Sequence, residues 1–299
     1  MESRVIAVFG PTAVGKTGVV DQVARMLRES GADPVAINCD SIQVYRELRV
    51  LSGAADIGQG SALEYRLVGF VPVTEEYSAG LYADAAHREI DAALGSGRLP
   101  IVVGGTGLYL RAALSRLEMR PPVDPDLRAA VEAEIAERGP QALHAELPPE
   151  LRDATHPNDR KRIARYTELL RGGDQPHATA TKLWTADLRH PTLMAGLTME
   201  RDPLVERVRK RVDRMFDDGV EAEVRAADAA GASRTARAAI GFSEALEGDR
   251  ESMARAQAAY ARRQMTWMRK LQGIRTVDRT GLDSAETARR IIRRLDGVE

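Results

Sequence analysis

A doubly wound, parallel α/β sheet joined to a mainly helical second half is the architecture this 299-residue sequence predicts. Three observations predict it. Over the first 110 residues, short apolar runs ending in glycine or polar residues alternate with helical patterns. One such run leads directly into Gly10-Pro11-Thr12-Ala13-Val14-Gly15-Lys16-Thr17, a complete phosphate-gripping loop. From about Pro121 the strand-like runs nearly vanish and helical spacing dominates.

Taken in order, Val5-Ile6-Ala7-Val8-Phe9 is the kind of apolar run that parallel sheets bury on both faces. Beyond the loop, Val19, Val20, Val23, Ala24 and Leu27 recur at helical spacing, so strand, loop and helix follow in the order a phosphate site needs. Pro34–Asn38 reads as a short strand that delivers Cys39-Asp40-Ser41 at its C-terminal end. Leu67–Val71 is expected to be another strand or the approach to one, and Tyr82–Leu94 an amphipathic helix. Pro100–Val103 then enters Gly104-Gly105-Thr106-Gly107, with helical Leu108-Tyr109-Leu110 behind it. Helices are predicted over Asp126–Glu137, Asp159–Leu170, Pro203–Phe216, Val220–Ala229 and Ser252–Leu271. Residues 172–185 form a polar connection, and Pro191–Leu197 returns one strand to the sheet. The expected division is a P-loop NTPase-like core over 1–120, a helical insertion over 121–190, and a returning strand with C-terminal helices over 191–299.

Hydrophobic residues make up 43% and charged residues 29%, a folded globular mixture that excludes disorder. No apolar stretch approaches the roughly 20 residues that span a bilayer. The first strand begins at once, so no signal peptide is expected and the protein is placed in the cytoplasm. A single cysteine, Cys39, excludes an intramolecular disulfide and reads as a small buried residue at a strand end. The net charge of −1 conceals an asymmetry. Residues 1–150 hold 14 Lys+Arg against 21 Asp+Glu, leaving 29 against 23 for residues 151–299. A basic second half is compatible with a polyanion partner or with solvated arginine-rich helices.

The glycines of the loop let backbone N–H groups curl around an anion at a helix N-terminus. Lys16, the only lysine in the first 160 residues, is set to reach the terminal phosphates. Thr17 offers a hydroxyl to a magnesium ion. An ATPase or GTPase usually ends a later strand in an acidic residue, but here Ile101-Val102-Val103 ends in Gly104-Gly105-Thr106. The well-placed acid is Asp40, which could hold magnesium through water, act as a general base, or cap a helix. Asp40-Ser41-Ile42-Gln43-Val44-Tyr45 sets a carboxylate beside an amide suited to the edge of adenine. Such a carboxylate can take a proton from an exocyclic amine if the base leaves its stack.

The chain resembles the tRNA dimethylallyltransferase (tRNA isopentenyltransferase) family in four blocks, in the family's order. They are Gly10–Thr17, Asp40–Tyr45, Val103-Gly104-Gly105-Thr106-Gly107-Leu108-Tyr109 and His156-Pro157-Asn158-Asp159-Arg160-Lys161-Arg162. Two weaker blocks follow, Ala239-Ile240-Gly241-Phe242 and Tyr260-Ala261-Arg262-Arg263-Gln264-Met265-Thr266-Trp267. The resemblance implies transfer of a dimethylallyl group from its diphosphate to N6 of adenosine 37, in tRNAs reading U-starting codons. The loop Gly10, Pro11, Thr12, Ala13, Val14, Gly15, Lys16 and Thr17 would then hold, with Mg2+, a diphosphate leaving group, and Arg211 would clamp the same diphosphate from the helical side. Thr12 would lie beside the reacting centre, and Asp40 would receive the N6 proton. Asp40, Ser41, Ile42 and Gln43 would flank the flipped base, with Thr106 at the mouth of the channel. Further contacts to the anticodon stem-loop are expected from Arg128, from Lys161, Arg162, Ile163, Ala164 and Arg165, from Gly241 and Phe242, and from Arg262, Arg263, Gln264 and Trp267.

The chain departs from the family pattern at three places. Arg46–Ala54 stands where a Gly-Met-Asp-Ile-Gly-Thr-Ala-Lys-like run is common. Ser243 replaces a lysine, and Gln257-Ala258 replaces a Thr-Arg pair. The sequence-level alternatives are an enzyme that prenylates free adenine nucleotides, a P-loop small-molecule kinase, and a silent nucleotide- or RNA-binding protein. A soluble monomer is expected, with no membrane partner.

Overall fold

The structure, a computed structural model, describes residues 4–54, 63–117, 123–176 and 182–295. The expected domain start at Pro121 and residues 177–181 of the expected connection lie outside the described residues. The chain divides into two units, Met1–Leu117 with Trp184–Glu299, and Glu118–Leu183. No helix among the described residues is long and apolar enough to cross a membrane.

The larger unit is built on six strands, β1 (Val5–Phe9), β2 (Pro34–Asn38), β3 (Tyr65–Arg66), β4 (Leu99–Gly104), β5 (Thr192–Thr198) and β6 (Ile274–Asp278). All pair in parallel, in the order β3-β2-β4-β1-β5-β6. β1 and β2 are buried along their whole length, which is why their sequences are continuous apolar runs rather than alternating ones. Helices Lys16–Glu29 and Ser284–Leu295 cover one face. Val19, Val20, Val23, Leu27, Ala288 and Ile291 join Ile6, Val8, Ile101, Leu197 and Val277 there in one core. Helices Ala79–Gly95 and Gly107–Leu114 cover the other face with Tyr82, Ala86, Ile90 and Leu110. Each fully buried Val, Leu or Ile stabilises this arrangement by about 1.5–3 kcal/mol.

Parallel winding has one consequence for function: every strand ends at the same edge. Gly10 follows β1, Cys39 and Asp40 follow β2, Gly105 and Thr106 follow β4, and Arg279 follows β6. The strand order reverses around β1, and such an edge is where α/β sheets bind ligands.

Three elements differ from expectation. Leu67–Val71 is not a strand: Leu67 and Gly69 adopt left-handed backbone angles (φ 60° and 59°), which break an extended run. The segment instead packs on the loop after β2, with Val71 bridging to Tyr45 and the Leu67 carbonyl accepting from Asn38. β6 and helix Ser284–Leu295 were not foreseen. β6 is an edge strand with only Ile274 and Val277 apolar, and the helix exposes a run of arginines that dilutes its apolar stripe.

The smaller unit consists of helices Pro125–Arg138, Pro140–Glu146, Pro149–Asp153 and Arg160–Arg171. Val131, Ile135, Leu143, Leu147, Leu151 and Ile163 form its core. Asp124 and Asp159 cap the two longer helices by accepting backbone N–H groups. The two short helices went unforeseen because each starts at a proline, which is suited to the first helical turn but also reads as a turn signal.

Candidate active site

The phosphate loop is built as its sequence demands. Gly15 (φ 89°) and Ala13 (φ 61°) turn the backbone through left-handed angles. Helix Lys16–Glu29 starts at Gly15 with no side-chain cap, leaving its first N–H groups for an anion. Lys16 Nζ folds back to donate to the Gly10 and Pro11 carbonyls, each at 3.0 Å. Burial pushes the Lys16 ammonium down to about 8, a shift that Arg211 reinforces and Asp40 opposes. A buried cation drawn down this far is poised to accept a polyanion.

Asp40 lies across from it. Its Oδ1 accepts the Ile42 N–H at 3.1 Å, and its own N–H donates to Asn38 Oδ1 at 3.0 Å. That is an Asx-turn holding the carboxylate in place. No helix starts at Asp40; the next is Arg49–Ser52, so the helix-cap reading is set aside. Ser41 docks on the β4 turn, with its N–H donating to Thr106 Oγ1 at 3.1 Å and the two hydroxyls 3.3 Å apart. Gln43 Nε2 donates to the Ser52 carbonyl at 3.2 Å, and Arg211 Nη2 donates to the same oxygen at 3.0 Å. Arg211 thus reaches the loop after β2 as well as the field of Lys16. Tyr45, by contrast, is core: it is buried and its hydroxyl meets Thr235.

The Thr17 hydroxyl makes no hydrogen bond to the described residues, and none of those residues form a three-member His/Cys/Asp/Glu cluster that could hold a metal. That donor set, one hydroxyl and one nearby carboxylate, fits a cation that takes most of its ligands from phosphate and water. It does not fit a fully protein-ligated ion.

Two arginines that sequence reasoning missed complete the loop. Arg279, only 4% exposed, donates from Nη1 to the Val14 and Gly15 carbonyls. Arg207 Nε donates to the Ala13 carbonyl at 2.9 Å. These bonds satisfy the Ala13, Val14 and Gly15 carbonyls and hold the loop's turn from distant parts of the chain. Nothing local marks either residue, since they come from the turn after β6 and from helix Arg201–Asp217.

The expected RNA-contacting residues fall into two groups. Arg262 and Arg263 are exposed on helix Arg250–Lys270, with Arg263 over the Tyr260 ring at 5.5 Å. Trp267 is half-buried beside Trp184, at 4.6 Å between ring centroids. In the smaller unit Lys161 and Arg162 are exposed, while Arg128 and Arg165 both engage the buried Glu168, at 3.6 and 3.3 Å. Other residues of the expected set lie in or against the core. Ile163 and Phe242 are core residues, 0% and 2% exposed. Ala164 packs against the core of the smaller unit, and Gly241 supplies a left-handed turn (φ 98°) before helix Phe242–Glu247. Gln264, at 3% exposure, points inward: Thr12 N–H donates to its Oε1 and its Nε2 donates to the Gly105 carbonyl, each at 2.8 Å. A buried amide with both ends engaged has no free edge for RNA.

Known proteins are similar to this chain along nearly its whole length. The IPP transferase family model matches residues 43–271. A tRNA dimethylallyltransferase of Thermobifida fusca (strain YX) is 39% identical over 282 residues, covering 90% of this chain and 88% of that protein. The crystal structure of the tRNA isopentenylpyrophosphate transferase of Bacillus halodurans has a TM-score of 0.71 and 30% identity, covering 99% of this chain and 96% of that one. A eukaryotic dimethylallyltransferase solved acting on tRNA has the same fold, with a TM-score of 0.75 at 23% identity over 99% of this chain and 79% of its own. A phosphate loop with a lowered lysine, a fixed carboxylate beside it, and this extent of similarity lead to one assignment: the chain belongs to the IPP transferase family.

Proposed function

We propose that this protein transfers the dimethylallyl group of dimethylallyl diphosphate to N6 of adenosine 37 in tRNA, releasing diphosphate. One observation carries the reading. The buried Lys16 of a phosphate loop and the fixed carboxylate of Asp40 feel each other's charge, while β4 ends in Gly104-Gly105 where a hydrolase would need an acid. A cation for the leaving group therefore stands beside a base for the incoming amine.

In this mechanism the allylic C–O bond breaks as the N6–C bond forms. Lys16 and Arg211 offset the charge that grows on the diphosphate, aided by the loop's N–H groups and the helix N-terminus. Asp40 accepts the proton that N6 must shed as its fourth bond forms; the delocalised lone pair makes the amine a weak nucleophile, so a positioned base assists the step. Ser41, Ile42 and Gln43 line the acceptor side with Thr106. Mg2+, held by Thr17 and through water by Asp40, would supply further neutralisation of the diphosphate. Arg128, Lys161, Arg162, Arg165, Arg262 and Arg263 would meet RNA phosphates, and Trp267 would offer a ring to the anticodon arm.

The test incubates the protein with labelled dimethylallyl diphosphate, magnesium and unmodified tRNA, with AMP and ATP as parallel acceptors. Label is expected in tRNA and lost when adenosine 37 is replaced. Label in the free nucleotide instead would overturn the acceptor assignment, and label in none would overturn the transfer itself.

A further inference from the structure

Gln264 does not do what its position in an arginine-rich segment suggests. Its amide is buried and spans two loops that leave different strands: Oε1 accepts the backbone N–H of Thr12, after β1, and Nε2 donates to the carbonyl of Gly105, after β4. The partners fix the orientation of the amide, because an N–H calls for the oxygen and a carbonyl for the NH2. Two helical turns earlier, Gln257 is also buried; its Oε1 accepts the Thr12 hydroxyl at 3.3 Å and its Nε2 donates to the Ile240 carbonyl at 3.3 Å. Thr12 is thereby held at its backbone by one glutamine and at its hydroxyl by the other.

These contacts belong to one stripe of helix Arg250–Lys270. Gln257, Tyr260, Gln264 and Trp267 follow at spacings of three, four and three, so they share a face. Along it, Tyr260 meets Thr106, Gln264 meets Gly105, and the Trp267 ring covers Gly107. There is no slack in this seam. A Cβ on Gly105 would collide with Gln264 Nε2 and would stand 3.2 Å from the Gly10 carbonyl and 3.3 Å from Lys16 Nζ. A Cβ on Gly107 would collide with the Trp267 ring. Gln264 therefore ties the β1 loop, which carries Lys16, to the β4 turn just beyond the point where the paired strands end.

We propose that Gln264 is a positioning residue for the reaction: it holds the phosphate loop in register with the Gly105-Thr106 turn and makes no contact with RNA. The proposal rests on the transfer reading for its catalytic consequence, whereas its effect on diphosphate binding stands without it. Gln257 acts with it on Thr12 through the hydroxyl.

The test compares Gln264→Leu, Gln264→Glu and Arg262→Ala with the unaltered protein by three measurements. They are binding of inorganic diphosphate with magnesium by calorimetry, binding of tRNA by filter retention, and single-turnover transfer at saturating substrates. Gln264→Leu frees the loop from the turn. It is expected to weaken diphosphate binding about tenfold, equal to one well-placed charge-assisted contact, and to slow transfer about a hundredfold. Its tRNA affinity should stay within about twofold, since no RNA contact is lost. Gln264→Glu keeps the acceptor for Thr12 but sets an oxygen against the Gly105 carbonyl, so its diphosphate binding should also fall. It is the variant to read if Gln264→Leu does not fold. Arg262→Ala should show the reverse pattern, weaker tRNA binding with diphosphate binding unchanged. The proposal is overturned if either Gln264 variant weakens tRNA binding while leaving diphosphate binding intact, or if both match the unaltered protein in all three. An unaltered protein that binds diphosphate but transfers nothing would count against the proposed function, leaving the diphosphate comparison to judge Gln264.

Discussion

The lowered Lys16 makes diphosphate binding depend on pH in a way that can be worked out in advance. In the free protein the ammonium ionises near 8, chiefly because burial disfavours its charge. A diphosphate in the loop places anionic oxygens where Lys16 now meets only the Gly10 and Pro11 carbonyls, and so returns the group to its ordinary value of 10.5 or above. Below pH 8 the lysine is already charged and binding costs no proton; above it, each bound diphosphate must bring a proton with it. The apparent dissociation constant then grows as one plus ten to the power of pH minus 8. That factor is about 1.1 at pH 7 and about 11 at pH 9, so affinity falls about tenfold, or about 1.4 kcal/mol. Calorimetric titration of inorganic diphosphate with magnesium, in two buffers of different ionisation enthalpy, measures the affinity and the proton uptake. Uptake should be about half a proton at pH 8 beyond that of the control. The control is Lys16→Arg, which keeps its charge throughout, so that ionisation of diphosphate itself cancels in the comparison. If the unaltered protein is no more pH-dependent than Lys16→Arg, the lowered lysine is refuted. The sign for stability runs the other way. Because the folded value lies below the unfolded one, the free fold bears a penalty below pH 8 that is relieved between 8 and 10.5. With full burial this amounts to about 3 kcal/mol, and the partial exposure of Lys16 reduces it.

Further outcomes follow from the same geometry. Asp40→Asn keeps an oxygen for the Ile42 N–H but cannot take a proton, so single-turnover transfer should fall about 10²–10⁴-fold with tRNA affinity within a few-fold; an unchanged rate would remove the general base. Arg279→Met leaves the Val14 and Gly15 carbonyls without their donor, which should cost about 1–3 kcal/mol in denaturant unfolding and weaken diphosphate binding. A stability equal to the unaltered protein would show that the loop needs no support from β6. Lys161→Ala removes one exposed cation from the smaller unit and should lower the salt slope of tRNA binding by about one, with diphosphate binding untouched; an unchanged slope would place Lys161 away from phosphate.

Local pattern served best where one segment supplies its own partners. Gly10–Thr17 is legible because strand, turn and helix are consecutive and each residue acts within the loop. Helices Pro125–Arg138 and Arg160–Arg171 are legible because their apolar spacing and Asp caps lie within the element. Where a decision depended on a distant partner, the same reasoning went astray. Leu67–Val71 has the composition of a strand, yet the left-handed Leu67 and Gly69 turn it onto the loop after β2. β6 pairs with β5 alone at the sheet edge, so little apolar burial marked it in advance.

The sequence by itself determined the fold class, the phosphate loop, the candidate base Asp40 and the family, since motif order and apolar periodicity are properties of the chain. Only the tertiary structure decided how those pieces are held. Arg279 reaches back some 265 residues to Val14, and Gln264 some 252 to Thr12. The glutamine in an arginine-rich segment is buried and joins two loops, and Ile163, amid arginines, is core. The physical reason is that an amide or a guanidinium has no preferred partner in the sequence. Which unpaired carbonyl or N–H it must satisfy is settled only when the strands are wound and those groups are buried beside it.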